Sequence, residues 1–71
     1  MPENGALGDL TPRQREILKL LVQGLPNKAI AKALSIQEIT VKAQLTKIFR
    51  AFGASNRTEL VSIVMGRDKM A

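Results

Sequence analysis

The apolar residues of this chain recur at helical spacing in four short stretches and nowhere alternate with a period of two. Ile17, Leu18, Leu21 and Val22 form the first stripe, and Ile30, Ala31 and Leu34 the second. Val41, Leu45, Ile48, Phe49 and Phe52 form the third, and Leu60, Val61 and Val64 the fourth. Isolated helices of about 12–15 residues or fewer are marginal in water, so such segments persist by packing their stripes together. The pattern predicts an all-α fold of four helices and no sheet.

The punctuation between the stripes predicts the boundaries. In "LTPRQ", Thr11 is an N-cap, Pro12 suits the first helical position and Gln14 completes a capping box, with Leu10 as a staple ahead of it. Gly24 is the stop of this first helix. Asn27 is expected to cap a short helix over 28–34, and Ser35 and Ile36 make a brief break. A third helix runs over about 37–52 to Gly53. Asn56, with Glu59 three residues later, caps the fourth; Gly66 should loosen its end. Residues 1–9, "MPENGALGD", are polar and without period, and read as a linker or frayed segment. The domain is thus placed at 10–66, with 67–71 as a frayed tail.

A short helix followed within two or three residues by a longer one is a helix-turn-helix. Where two such helices cross, their backbones need a small residue. Ala31 fits that need, although it is also simply a good helix former.

Residue inventory narrows the function. Among 71 residues there is no cysteine and no histidine, which removes disulfides, thiolate metal sites and the commonest bases and nucleophiles. The carboxylates are scattered and no Gly-rich phosphate loop occurs, so no enzyme, catalytic residue, metal site or cofactor is expected. No apolar run approaches the roughly 18 residues of a membrane span, and the first residues lack the pattern of a signal peptide. A soluble, cytoplasmic domain with no membrane partner is the expectation.

The net charge of +5 is localised. Residues 1–26 and 58–71 are each neutral, whereas 27–57 holds Lys28, Lys32, Lys42, Lys47, Arg50 and Arg57 against Glu38 alone. A concentrated basic field points to a polyanion. Much of it lies in "ITVKAQLTKIFR", residues 39–50, whose non-core side carries Thr40, Lys42, Ala43, Thr46, Lys47 and Arg50 without a carboxylate.

The major groove of DNA admits one helix, read mostly by its N-terminal half. Lys42 can donate to guanine, Thr40 and Thr46 can offer hydroxyls, and Ile39 and Ala43 can touch a thymine methyl. Ile39 is equally explained as a partly covered residue near the helix start. Lys47 and Arg50, further along, suit phosphates. Asn27 and Lys28 stand where the unpaired N–H groups of the short helix favour an anion.

The stretch "LTPRQREILKLLVQGLPNKAIAKALSIQEITVK", with "NRTE" after it, resembles the LuxR/NarL/FixJ-type DNA-binding domain of bacterial transcription regulators. That family reads approximately L-T-x-R-E-x-E-V-L, G-x-x-N-K-E-I-A-x-x-L, S-x-x-T-V-K-x-H and N-R-T-E. Leu10, Thr11, Arg13, Glu16, Ile17, Leu18, Gly24, Asn27, Lys28, Ile30, Ala31, Leu34, Thr40, Val41, Lys42 and the run Asn56–Glu59 match it. The resemblance spans residues 10–64. It implies a four-helix domain whose third helix reads the major groove and whose fourth commonly forms the dimer contact on paired half-sites.

The DNA-contact set so implied is Asn27, Lys28, Gln37, Thr40, Lys42, Ala43, Thr46, Lys47 and Arg50. Glu59, Ser62 and Ile63 are the candidate dimer face, and a regulatory domain is expected on the N-terminal side. The chain departs from the pattern at Gln14 (Glu in the family), Gln37 (Ser), Gln44 (His) and Ala51 (commonly Lys). These departures keep open a rival, a degenerate helix-turn-helix that binds protein rather than DNA. An RNA reader would display aromatics for stacking, but Phe49 and Phe52 both fall on the core stripe.

Overall fold

The structure, a computed structural model, describes residues 10–70, with side chains through residue 66. Four helices follow in order: α1 Pro12–Val22, α2 Asn27–Leu34, α3 Glu38–Phe52 and α4 Arg57–Met70. No strand occurs among the described residues, so the all-α expectation holds. The expected linker at 1–9 lies outside them.

Local chemistry sets the first boundary where the sequence placed it. Thr11 Oγ1 accepts from the Gln14 N–H at 3.1 Å, and Gln14 Oε1 accepts from the Thr11 N–H at 3.0 Å. Both arms of the capping box are therefore made, and two of the N–H groups that a helix start leaves unpaired are satisfied.

The first three helices stop in one way: a left-handed residue folds the chain back so that two N–H groups meet the last carbonyls. At Gly24 (φ 100°), its N–H donates to Leu21 O at 2.9 Å and the Leu25 N–H to Leu20 O at 3.2 Å. At Ser35 (φ 58°) the acceptors are Lys32 O at 3.3 Å and, from the Ile36 N–H, Ala31 O at 2.9 Å. At Gly53 (φ 66°) they are Arg50 O at 3.2 Å and, from the Ala54 N–H, Phe49 O at 2.9 Å. Ser35 is the exception in chemistry, since a residue with a Cβ pays about 1–2 kcal/mol in this conformation. It sits in the turn between α2 and α3, where Ile36 is packed against the core.

Some boundaries differ from expectation. Pro26, not Asn27, is the N-cap of α2, and no side chain caps that helix. Proline's fixed φ already suits the extended cap conformation, which draws Asn27 into the helix as its first residue. Gln37 caps α3 with its backbone only, its side chain making no cap bond. Asn56 does cap α4, its Oδ1 accepting from the Glu59 N–H at 2.8 Å. That helix continues through Gly66 to Met70. One glycine costs about 1 kcal/mol relative to alanine, too little to stop a helix already running.

Leu10, Ile17, Leu18, Leu21, Ile30, Ala31, Val41, Leu45, Ile48 and Leu60 form one buried cluster. Val22, Leu34, Phe49, Phe52, Val61 and Val64, expected inward, are partly buried and pack around it. α3 packs against each of the other helices, and α1 against α2. Ala31 is buried on the inner side of α2, which supports its role as the small residue at the crossing.

Candidate nucleic-acid interface

Burying Val41, Leu45 and Ile48, at i, i+4 and i+7, leaves the opposite side of α3 in solvent. Ile39, Thr40, Lys42, Ala43, Thr46, Lys47 and Arg50 are all exposed there. Ile39 is 70% exposed, which removes the alternative of a covered residue near the helix start. The ion pair recorded among the described residues, Arg13 with Glu16 at 3.6 Å, lies on α1. Lys42, Lys47 and Arg50 make no ion pair among the described residues. Glu38, the acid of this helix, sits in its first turn, where the dipole favours negative charge.

The start of α2 is brought to this face. Asn27, Lys42 and Thr46 line one cleft of about 260 Å³, backed by Leu21, Leu45, Phe49 and Arg57. Lys28 is exposed beside it in sequence. Asn27 therefore joins Lys42 and Thr46 in space, whereas Thr40, Ala43, Lys47 and Arg50 belong to the open face of α3, and Gln37 is exposed just before its start. The Thr46 hydroxyl donates to the Lys42 carbonyl at 3.1 Å. Its proton, expected to be offered to a base or phosphate, is engaged within the helix.

Glu59, Ser62 and Ile63 line an open depression on α4 with Ser55, Asn56 and Thr58. Ser62 is exposed and Ile63 half-buried. A Glu59 carboxylate oxygen accepts from the Ser55 N–H, so this side chain serves the helix start first.

Two structural ties were not evident from sequence. Arg57 Nη2 donates to the carbonyls of Leu21, at 3.3 Å, and Leu25. The guanidinium therefore pins the start of α4 to the end of α1 while lining the cleft that Asn27, Lys42 and Thr46 share. A signal existed: a cation in the first turn opposes the helix dipole, which suggests a specific partner elsewhere. The carbonyl end of α1 supplies it. The second tie joins Gln14, which is buried, to Gln44 through an Nε2–Oε1 hydrogen bond of 2.8 Å. Because Gln14 Oε1 already accepts from Thr11, its NH₂ must face Gln44, and that fixes which end of the Gln44 amide answers.

The sequence pattern of bacterial regulatory proteins of the luxR family matches residues 9–64. The chain belongs to that family. Its four helices are the family's helix-turn-helix DNA-binding domain.

The nitrate/nitrite response regulator protein NarL of Escherichia coli is 47% identical over 53 residues, covering 75% of this chain and 24% of that protein. The transcriptional regulatory protein YdfI of Bacillus subtilis is 46% identical over 56 residues, 79% of this chain and 26% of that protein. The two-component response regulator PprB of Pseudomonas aeruginosa is 41% identical over 59 residues, 83% and 22% respectively. The chain thus spans about a quarter of the length of these relatives.

Within this luxR-family domain, Gln14 and Gln44 are two of the departures from the family pattern, and they meet each other. Gln44→Leu removes the partner of a buried amide, which costs about 1–3 kcal/mol when no water replaces it. The expected result is a loss of about 1 kcal/mol or more in urea unfolding with the capping box retained. Unchanged stability would show that the pair contributes nothing.

Proposed function

We propose that this luxR-family domain binds double-stranded DNA in a sequence-dependent way by laying α3 in the major groove. The observation that carries the reading is the exposed face of α3, whose cations Lys42, Lys47 and Arg50 make no ion pair among the described residues. Lys42 lies towards the entering half and suits guanine O6 or N7. Thr40 and Ala43 flank it on the same open face, and Gln37 stands at the helix entrance. Lys47 and Arg50 suit phosphates of the groove walls. Asn27 and Lys28, at the N–H end of α2, suit a phosphate of the adjoining backbone.

We propose further that the domain is the output part of a cytoplasmic transcription regulator with a regulatory domain on its N-terminal side. The response-regulator names of NarL and PprB support this. Binding as a homodimer on paired half-sites, through Glu59, Ser62 and Ile63 of α4, completes the reading. The role is one of binding, not catalysis. No observation favours the protein-interaction rival.

Selection from random duplexes at a fixed salt concentration, followed by variant titrations, tests the proposal. Lys42→Ala should relax preference for the selected site by about 1–3 kcal/mol. Lys47→Ala should weaken selected and random duplex alike and lower the salt slope by about one. If neither variant changes duplex affinity at low salt, the protein-interaction reading replaces this one. For the pairing face, Ile63→Asp should reduce affinity for a two-half-site duplex more than for a single half-site. Equal reductions on both would remove α4 from the dimer contact.

A further inference from the structure

Ile39, Ala43 and Thr46 stand at i, i+4 and i+7 on α3, which is the spacing of one row along a helix. All three are exposed, and they lie on the far side from Val41, Leu45 and Ile48. Ile39 offers only hydrocarbon, and so does Ala43. Thr46 would ordinarily add a hydroxyl donor, but its proton is held by the Lys42 carbonyl at 3.1 Å. That bond engages the hydroxyl proton within the helix, so Thr46 offers its γ-methyl and an oxygen that can only accept. The centre of the face is therefore an apolar row without a free donor. Cations flank it: Lys42 on one side, Lys47 on the other, and Arg50 one turn beyond Thr46.

On the floor of the major groove this row meets a restricted choice of partners. Guanine, adenine and cytosine present only polar groups that lose water against such a row, whereas thymine sets a 5-methyl group beside its one acceptor, O4. The flanking cations press the row towards the floor by engaging phosphates on either wall. Resting on the duplex binding proposed above, we infer that the centre of α3 reads thymine through its 5-methyl groups. Direct hydrogen-bond readout is left to groups off the row, Lys42 and Thr40 among them. Residues i and i+4 are about 6 Å apart along a helix, and i and i+7 about 10.5 Å. With base pairs about 3.4 Å apart, the contacted methyls fall within about four base pairs of one half-site.

The test uses the 71-residue protein and the duplex that random selection returns for it. Each thymine of the half-site is replaced in turn by deoxyuridine, which removes the methyl group and leaves every hydrogen-bonding atom in place. At about 0.8 kcal/mol per buried carbon, each contacted methyl removed should lower affinity about fourfold. The expected result is such losses at two or three thymines within about four base pairs. Ile39→Ala, at an exposed position that folding does not depend on, should abolish the loss at one of these thymines and preserve it at the others.

Equal affinity for thymine and deoxyuridine duplexes throughout would overturn the inference while leaving duplex binding intact. So would a selected half-site without clustered thymines, or full methyl sensitivity in Ile39→Ala. Failure of selection to enrich any duplex would instead bring down the DNA-binding reading itself, and this inference with it.

Discussion

Val41, Leu45 and Ile48, drawn into the core against the other three helices, set the direction in which the rest of α3 faces. Burying each of these side chains contributes about 1.5–3 kcal/mol, more than an exposed ion pair on the same helix would contribute to folding. The core therefore decides the rotation of α3 about its axis, and the basic face follows from it. A rotation large enough to cover Lys42 would bring buried side chains into water. In this way a small apolar cluster fixes the presentation of charges that it never touches.

Rotation alone does not hold a helix at a useful angle, and α3 is not strongly anchored at its start. Gln37 makes no side-chain cap, so the first turn relies on backbone bonds and on the turn before it. The turn is held by Ser35 in a left-handed conformation and by the bond from Ile36 to Ala31. Further along, Gln44 ties the middle of α3 to Gln14 and hence to the capping box of α1. Arg57 fastens α4 to the other end of α1. α1 thus serves as a strut with a polar tie at each end, one to α3 and one to α4, while the apolar cluster fills the space between.

Much of this was legible in the sequence because it rests on short-range rules. The four periodic stripes, the Thr11–Gln14 box, the stops at Gly24 and Gly53 and the cap at Asn56 all involve residues a few positions apart. The small Ala31 and the two faces of α3 follow from helical spacing and are equally local. The rest depends either on a choice between neighbouring local partners or on tertiary placement. Asn27 looks like a cap by residue type, yet Pro26 ahead of it already supplies the extended conformation. Arg57 counts as surface charge until α1 and α4 are brought together, and Gln14 and Gln44 are separated by one whole helix and two turns. Thr46 reads as a free hydroxyl because sequence does not say whether a threonine bonds back to its own helix.

The claim that the open face of α3 meets the edges of base pairs is tested most directly by amide NMR. The isotopically labelled chain would be titrated with a duplex in low-salt buffer. The prediction is that amide peaks of residues 38–50 and of the first turn of α2 move with added DNA, while those on the outer side of α1, such as Glu16, stay in place. Stationary α3 peaks, or shifts confined to α4, would contradict it.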